Sequence, residues 1–144
     1  MINAAKSKFA AITPPGAIVD NAAFTTNAID CLGYAWLTII VLFGAIDIAP
    51  ASASIRQSDA SDMSSPSNIA VGGTDFALAT AAGSDNKFHV FDINLLGKKR
   101  YIDFEITGGD GSAGTYMSAI AILSRGAEAP DSVTERGVEV YGLF

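Results

Sequence analysis

Leu32–Ile46, LGYAWLTIIVLFGAI, is a run of fifteen residues without a charge, closed by Asp47. A helix that crosses a bilayer needs about 20 apolar residues, so the run is too short for that role. It is also rich in aromatic and β-branched residues (Tyr34, Trp36, Thr38, Ile39, Ile40, Val41, Phe43), which favour strands. Apolar residues fall on both faces of the alternation, as in a central strand covered on both sides. The pattern predicts a buried central strand, broken at Gly44-Ala45.

Strand-like segments and polar loops fill the rest. Ala17–Phe24 reads as a short strand after the Pro14-Pro15-Gly16 break. Thr25, Thr26 or Asn27 could cap a helix, but only about one turn fits before Gly33. Ala51–Ser58 suits an outer strand, SDASDMSSPSN is a loop by composition, and residues 69–85 are small and glycine-rich. Further on, His89, Phe91, Ile93 and Leu95 share one face of a strand. In RYIDFEIT, Ile102, Phe104 and Ile106 alternate with Tyr101, Asp103, Glu105 and Thr107. Gly97-Lys98-Lys99 between these segments predicts a hairpin turn. TYMSAIAILSR is a strand with apolar character on both faces, Gly126–Arg136 a polar linker, and GVEVYGLF a last extended segment. Six or more short strands without a long amphipathic helix predict an all-β fold, an antiparallel β-sandwich with a jelly-roll-like arrangement. Residues 17–144 form the single sandwich domain, and residues 1–16 precede it as an irregular N-terminal arm that orders on docking.

Composition narrows the function classes. Hydrophobic residues make up 49% of the 144 and charged residues 17%, which is a folded rather than a disordered balance. The net charge of −6 argues against binding nucleic acid through phosphate neutralisation. The basic cluster Lys98-Lys99-Arg100 reads as a solvated hairpin tip. One cysteine, Cys31, rules out an internal disulfide. The opening MINAAKSKFAAITPPGA has two lysines but no long apolar segment after them, so no signal peptide is expected.

From Gly109 onward, GGDGSAG fits the dinucleotide-binding fingerprint G-x-G-x-x-G. Such a loop must follow a buried parallel strand and open a helix within a series of βαβ units. Here the preceding strand is half polar and the following residues read as strand, so the loop is expected to be a strand-to-strand turn. Cys31 and the sole histidine, His89, are the residue types of a nucleophile and its base. Beside Leu32, and between Phe88 and Val90, they read instead as packing residues. One Cys and one His cannot supply a structural zinc site. Asp59 and Asp62 lie in a loop without an EF-hand pattern. Asp103 and Glu105 read as a solvated strand face. No catalytic residue, cofactor, metal, nucleic acid or membrane partner is expected.

The segment NKFHVFDINLLGKKRYIDFEITGGDGSAGTYMSAIAILSRG, with the upstream VDNAAFTTNAID, WLTIIV and SDASDMS stretches, resembles small proteins from the head-structure modules of tailed bacteriophages and prophages. The likeness spans residues 17–126. Small acidic β-sandwich proteins of phage heads are similar to decoration or cement proteins. The resemblance implies a virion protein on the outer surface of the capsid, bound between subunits of the major capsid protein lattice and stabilising the head, commonly as a homotrimer. It brings no catalytic residues. A virion-associated glycan- or receptor-binding sandwich, using exposed Tyr and Trp, is the rival reading, and a small hydrolase has little residue support.

Self-association is expected because Thr115–Leu123 is apolar on both faces and the tail ends in several apolar residues. The candidate oligomer or capsid interface comprises Met117, Leu123, Val140, Tyr141, Leu143 and Phe144.

Overall fold

The computed structural model describes residues 6–13, 17–81, 83–108 and 114–142. Ten strands and one helical turn are present there: β1 Lys8–Ala11, β2 Ala17–Val19, β3 Ala22–Thr25, β4 Ile29–Asp30, β5 Trp36–Ile46, β6 Ser52–Ser58, β7 Ser67–Val71, β8 Phe88–Asn94, β9 Tyr101–Gly108, β10 Thr115–Ser124 and α1 Val133–Arg136. One sheet runs β1-β10-β5-β8 with β2 also on β10; the other runs β3-β9-β6-β7 with β4 also on β9. Every strand pair is antiparallel. If β1 with β2, and β3 with β4, are taken as two interrupted strands, the chain changes sheet at every connection except β6–β7. That is the jelly-roll order, so the all-β sandwich expected from the strand pattern is the fold.

β5 lies between β10 and β8, which pair with both its edges. It continues through Gly44-Ala45, where the expected break is a bulge: these two residues face the single Tyr116 of β10, and pairing with β8 ends at Leu42. Its odd-numbered side chains Leu37, Ile39, Val41 and Phe43 enter the core. They are joined there by Ala119, Ala121 and Leu123 of β10, Ile93 of β8, and Ile102, Phe104 and Ile106 of β9. Phe91 of β8 and Phe104 of β9 stack across the two sheets with ring centroids 5.8 Å apart. Only the inner face of β5 is covered by the opposite sheet; Ile40 and Leu42 on its outer face are half-buried. The apolar run thus reflects a central strand with one covered face, not two.

Several local expectations are corrected. Lys8–Ala11 is not irregular: it pairs with Leu123–Ile120 of β10, and Ile12 and Thr13 beyond it are buried. Four residues are too few to show an alternation, but β10 offers them a free edge. Residues 1–5 and 14–16 of the expected arm lie outside the described residues. Ala17–Phe24 is two strands in different sheets, separated by Asn21 at φ 49°. The helical turn expected before Gly33 is replaced by β4, because Thr26 bonds β9 through its backbone N–H and its hydroxyl.

Gly97-Lys98-Lys99 is not a hairpin, since β8 and β9 belong to different sheets and the turn crosses between them. The polar linker holds a single helical turn, α1. Ser132 caps its start by accepting from Glu135 N–H, and Gly137 ends it at φ 68°. The residues after it, Val138–Gly142, form no strand. In the stretch 69–85, β7 ends in a turn closed by a bridge between Gly72 and Phe76, and Ala79 is buried.

Candidate functional site

The residue types that could do chemistry are kept apart. Cys31 follows β4, and its thiol donates to the Ile29 carbonyl at 3.6 Å. Burial, with a smaller contribution from Asp30, pushes the thiol up to about 12, so it stays protonated at neutral pH. The Cys31 carbonyl accepts from Tyr34 N–H just ahead of β5. His89 pairs with Val41, well along β5 toward its other end. Its ring stands edge-on to Phe43 at 4.9 Å, and burial lowers its pKa. The two side chains form no nucleophile–base pair. Asp62 accepts from Ser64 N–H at 3.0 Å, whereas Asp59 pairs with Lys99 at 3.3 Å. These two acids serve separate contacts.

Residues 109–113 of the glycine-rich loop lie outside the described residues. The loop leaves β9 in one sheet and opens β10 in the other, so a strand follows it and not the helix a phosphate loop requires.

Asp103 and Glu105 are not a solvated face. Asp103 is fully buried, opposite Arg56 of β6. Arg56 Nε donates to Asp103 Oδ1 at 3.0 Å and Nη2 to Oδ2 at 2.7 Å. Its Nη1 bridges to Glu105, which also accepts from the Thr25 hydroxyl at 3.2 Å. A fork-on-carboxylate pair of this kind is strong because both hydrogen bonds are charge-assisted. It closes the outer face of the β3-β9-β6-β7 sheet with polar groups that satisfy one another. Arg100 makes a similar two-point contact with Asp30, at 2.9 and 2.7 Å, so the basic cluster is partly neutralised by its own chain.

The outer face of the other sheet is different. Strand alternation there sets Ile120, Ile40 and Val90 side by side across β10, β5 and β8, with Ser118, Leu42 and Phe88 in the next row. Phe88 is 65% exposed and Val90 54%, and Tyr116 and Ile120 are exposed as well. Scattered exposed apolar residues are ordinary; a contiguous set on one sheet face marks an interaction surface. Beside Phe88 lies a shallow groove of about 190 Å³ whose rim is formed by Leu42, Gly44, Tyr116, Ser118 and Asn86. Gly44 helps make it, because it presents no side chain between Leu42 and Tyr116.

The expected interface residues divide accordingly. Met117 and Leu123 are 2% and 1% exposed, because they occupy the inward-facing positions of β10. They are not available for a surface contact; the exposed apolar residues of the same strand are Tyr116 and Ile120, on its opposite side. Val140 is exposed, and Tyr141 sits under the Arg136 guanidinium at 4.6 Å. Leu143 and Phe144 lie outside the described residues. The surface residues missed in the sequence are Phe88 and Val90. Their apolar character between inward-facing His89 and Phe91 was the available signal.

No family model matches the sequence, and no curated protein matches it either. Solved structures that share the fold include the following two. One, from the Bacillus endospore appendages described as a family of disulfide-linked pili, is 12% identical with a TM-score of 0.52, covering 82% of this chain and 85% of that one. The other, the exported protein XepA of PBSX, is 15% identical with a TM-score of 0.57, covering 100% of this chain and 45% of that one. The chain therefore spans less than half of the length of XepA. At these identities the likeness is one of fold: a two-sheet sandwich that occurs both in a pilus-forming protein and in a phage-related exported protein.

Proposed function

We propose that this chain is a non-catalytic structural protein of a virion or extracellular assembly, and that it coats the outer surface of a phage head by binding between major capsid protein subunits. The observation that carries the reading is the contrast between the two outer faces. One is sealed by the Arg56–Asp103–Glu105 cluster, and the other leaves a contiguous apolar face open for contact. The two fold neighbours support an assembly role, being described as pili and as an exported phage protein. Disulfide linkage does not transfer, since the sequence has one cysteine and its thiol is buried. The resemblance of residues 17–126 to phage head proteins supplies the capsid as the partner.

The rival glycan-binding reading requires open aromatic platforms. Trp36 is half-buried, with the Arg125 guanidinium over its ring at 5.5 Å. The open aromatic rings, Tyr116 and Phe88, lie among Ile40, Leu42, Val90 and Ile120 on an apolar face that offers few polar partners for a sugar. The test is co-sedimentation of purified protein with assembled shells and, in parallel, with the isolated capsid subunit. Binding to the lattice in preference to the subunit is expected, because a site between neighbours exists only in the lattice and repeated engagement adds avidity. Equal or absent binding to shells contradicts the capsid role.

A further inference from the structure

We infer that the outer face of the β10-β5-β8 sheet is where a second copy of this chain packs, with Phe88 of each copy seated in the groove of the other. Two features on this face fit one another. Phe88 projects from β8 as the most exposed aromatic ring of the face, opposite Leu42 in register. The groove bounded by Leu42, Gly44, Tyr116 and Ser118 lies on the adjacent strands and has room for an aromatic ring. A projection and a recess side by side on one face are the requirement for an isologous contact, in which each copy gives and receives the same group. Opposed sheet faces related by a two-fold axis satisfy both contacts at once and close at two copies. The arrangement is therefore two-fold, where the resemblance implied a homotrimer, and it uses the outer face of Thr115–Leu123, the segment from which self-association was expected.

Charge favours a like partner. The chain carries −6 overall, so two copies repel unless they meet where charge is absent. Ile40, Leu42, Phe88, Val90, Tyr116 and Ile120 include no ionisable group that is charged at neutral pH. The nearest acid in the strand rows, Asp92, lies one row away and accepts from the Thr38 hydroxyl at 2.6 Å. A basic partner would instead be met by exposed carboxylates. Three strands of ten, eleven and seven residues, at about 4.8 Å between strands and about 3.3 Å per residue, give a face of roughly 450 Å². That is about half of the roughly 800 Å² per partner of a standard interface, so the expected dimer is a weak one.

The pairing is read on purified protein without shells, so it can fail apart from the capsid role; because it covers the same apolar face, capsid contact by the dimer falls to the surfaces left outside the pair. Light scattering and sedimentation equilibrium of the full chain should show a dimer. Phe88→Glu is at an exposed position and should keep the native circular dichroism while weakening the dimer by about a hundredfold or more, because a charge would replace the ring that fills the groove. Ser118→Lys, at the rim of the groove, should weaken it similarly. Combining F88E with S118K places the Glu of one copy against the Lys of the other and should restore a salt-sensitive dimer. A monomeric native protein at about 100 μM, or an F88E variant that dimerises as the native chain does, overturns the inference. So does a double variant that stays monomeric, since the seating of position 88 in the groove would then be wrong.

Discussion

Arg56 and Asp103, directly opposite one another on β6 and β9, form a two-point ion pair with bonds of 3.0 and 2.7 Å, and Asp103 is wholly out of solvent. Forty-seven residues separate them in the chain. The pair therefore fixes the register of two strands whose polar side chains carry little other information about alignment.

Removing one partner should cost far more than removing both. Asp103→Ala leaves the Arg56 guanidinium without its main counter-charge and should lower stability by about 3–5 kcal/mol. Replacing both with apolar residues of similar volume should recover most of that loss. Urea denaturation of the single and double variants checks this through the coupling energy.

Cys31 should resist thiol reagents in the folded protein. Its thiol ionises near 12, against 9.0 for a free one, because burial disfavours the thiolate. Between those two values the unfolded chain loses a proton that the folded chain retains. Stability should therefore be insensitive to this group below pH 9 and fall as pH rises toward 12. Alkylation with iodoacetamide at mildly alkaline pH should proceed only under denaturing conditions, and Cys31→Ala should flatten the alkaline limb.

His89 works at the acid end. Its pKa is lowered from 6.5 by burial, so the unfolded chain takes up a proton before the folded chain does. Stability should fall as pH drops below 6.5, down to the folded-state value, and be unaffected by this residue above it. As the sole histidine, it can be titrated by proton NMR without assignment ambiguity. The expected midpoint lies below 6.5, and His89→Gln should remove that contribution to acid sensitivity.

Gly137 ties α1 to the edge of the sandwich. It sits at φ 68°, and a Cβ there would collide with the carbonyl oxygen of Phe9. Gly137→Ala should therefore cost about 1–3 kcal/mol through left-handed strain and backbone displacement. Hydrogen exchange should quicken across β1 and α1 while the amides of β5 remain protected.

Part of this was legible in the chain. The strict alternation of Ile102, Phe104 and Ile106 gave the inner face of β9, and the apolar run gave β5, because one-sided burial and strand length write themselves into local sequence. β10 was ambiguous for the same reason. Apolar residues on both faces leave the parity of Met117 and Tyr116 open, and it is settled by pairing with β5. The link between β8 and β9 looks like a hairpin locally, yet jelly-roll topology sends consecutive strands to different sheets. Alternation placed Asp103 on the polar face correctly, but nothing near it in sequence announces Arg56. The groove beside Phe88 is likewise a product of three strands that only the fold brings together.

Quantitative mass spectrometry of gradient-purified virions tests whether the chain is a repeated structural subunit of a particle. The chain is expected in fixed proportion to the major capsid protein, retained on intact heads and scaling with the number of shell subunits. Its absence from the particles, or a few copies confined to tails or a single vertex, would contradict that role.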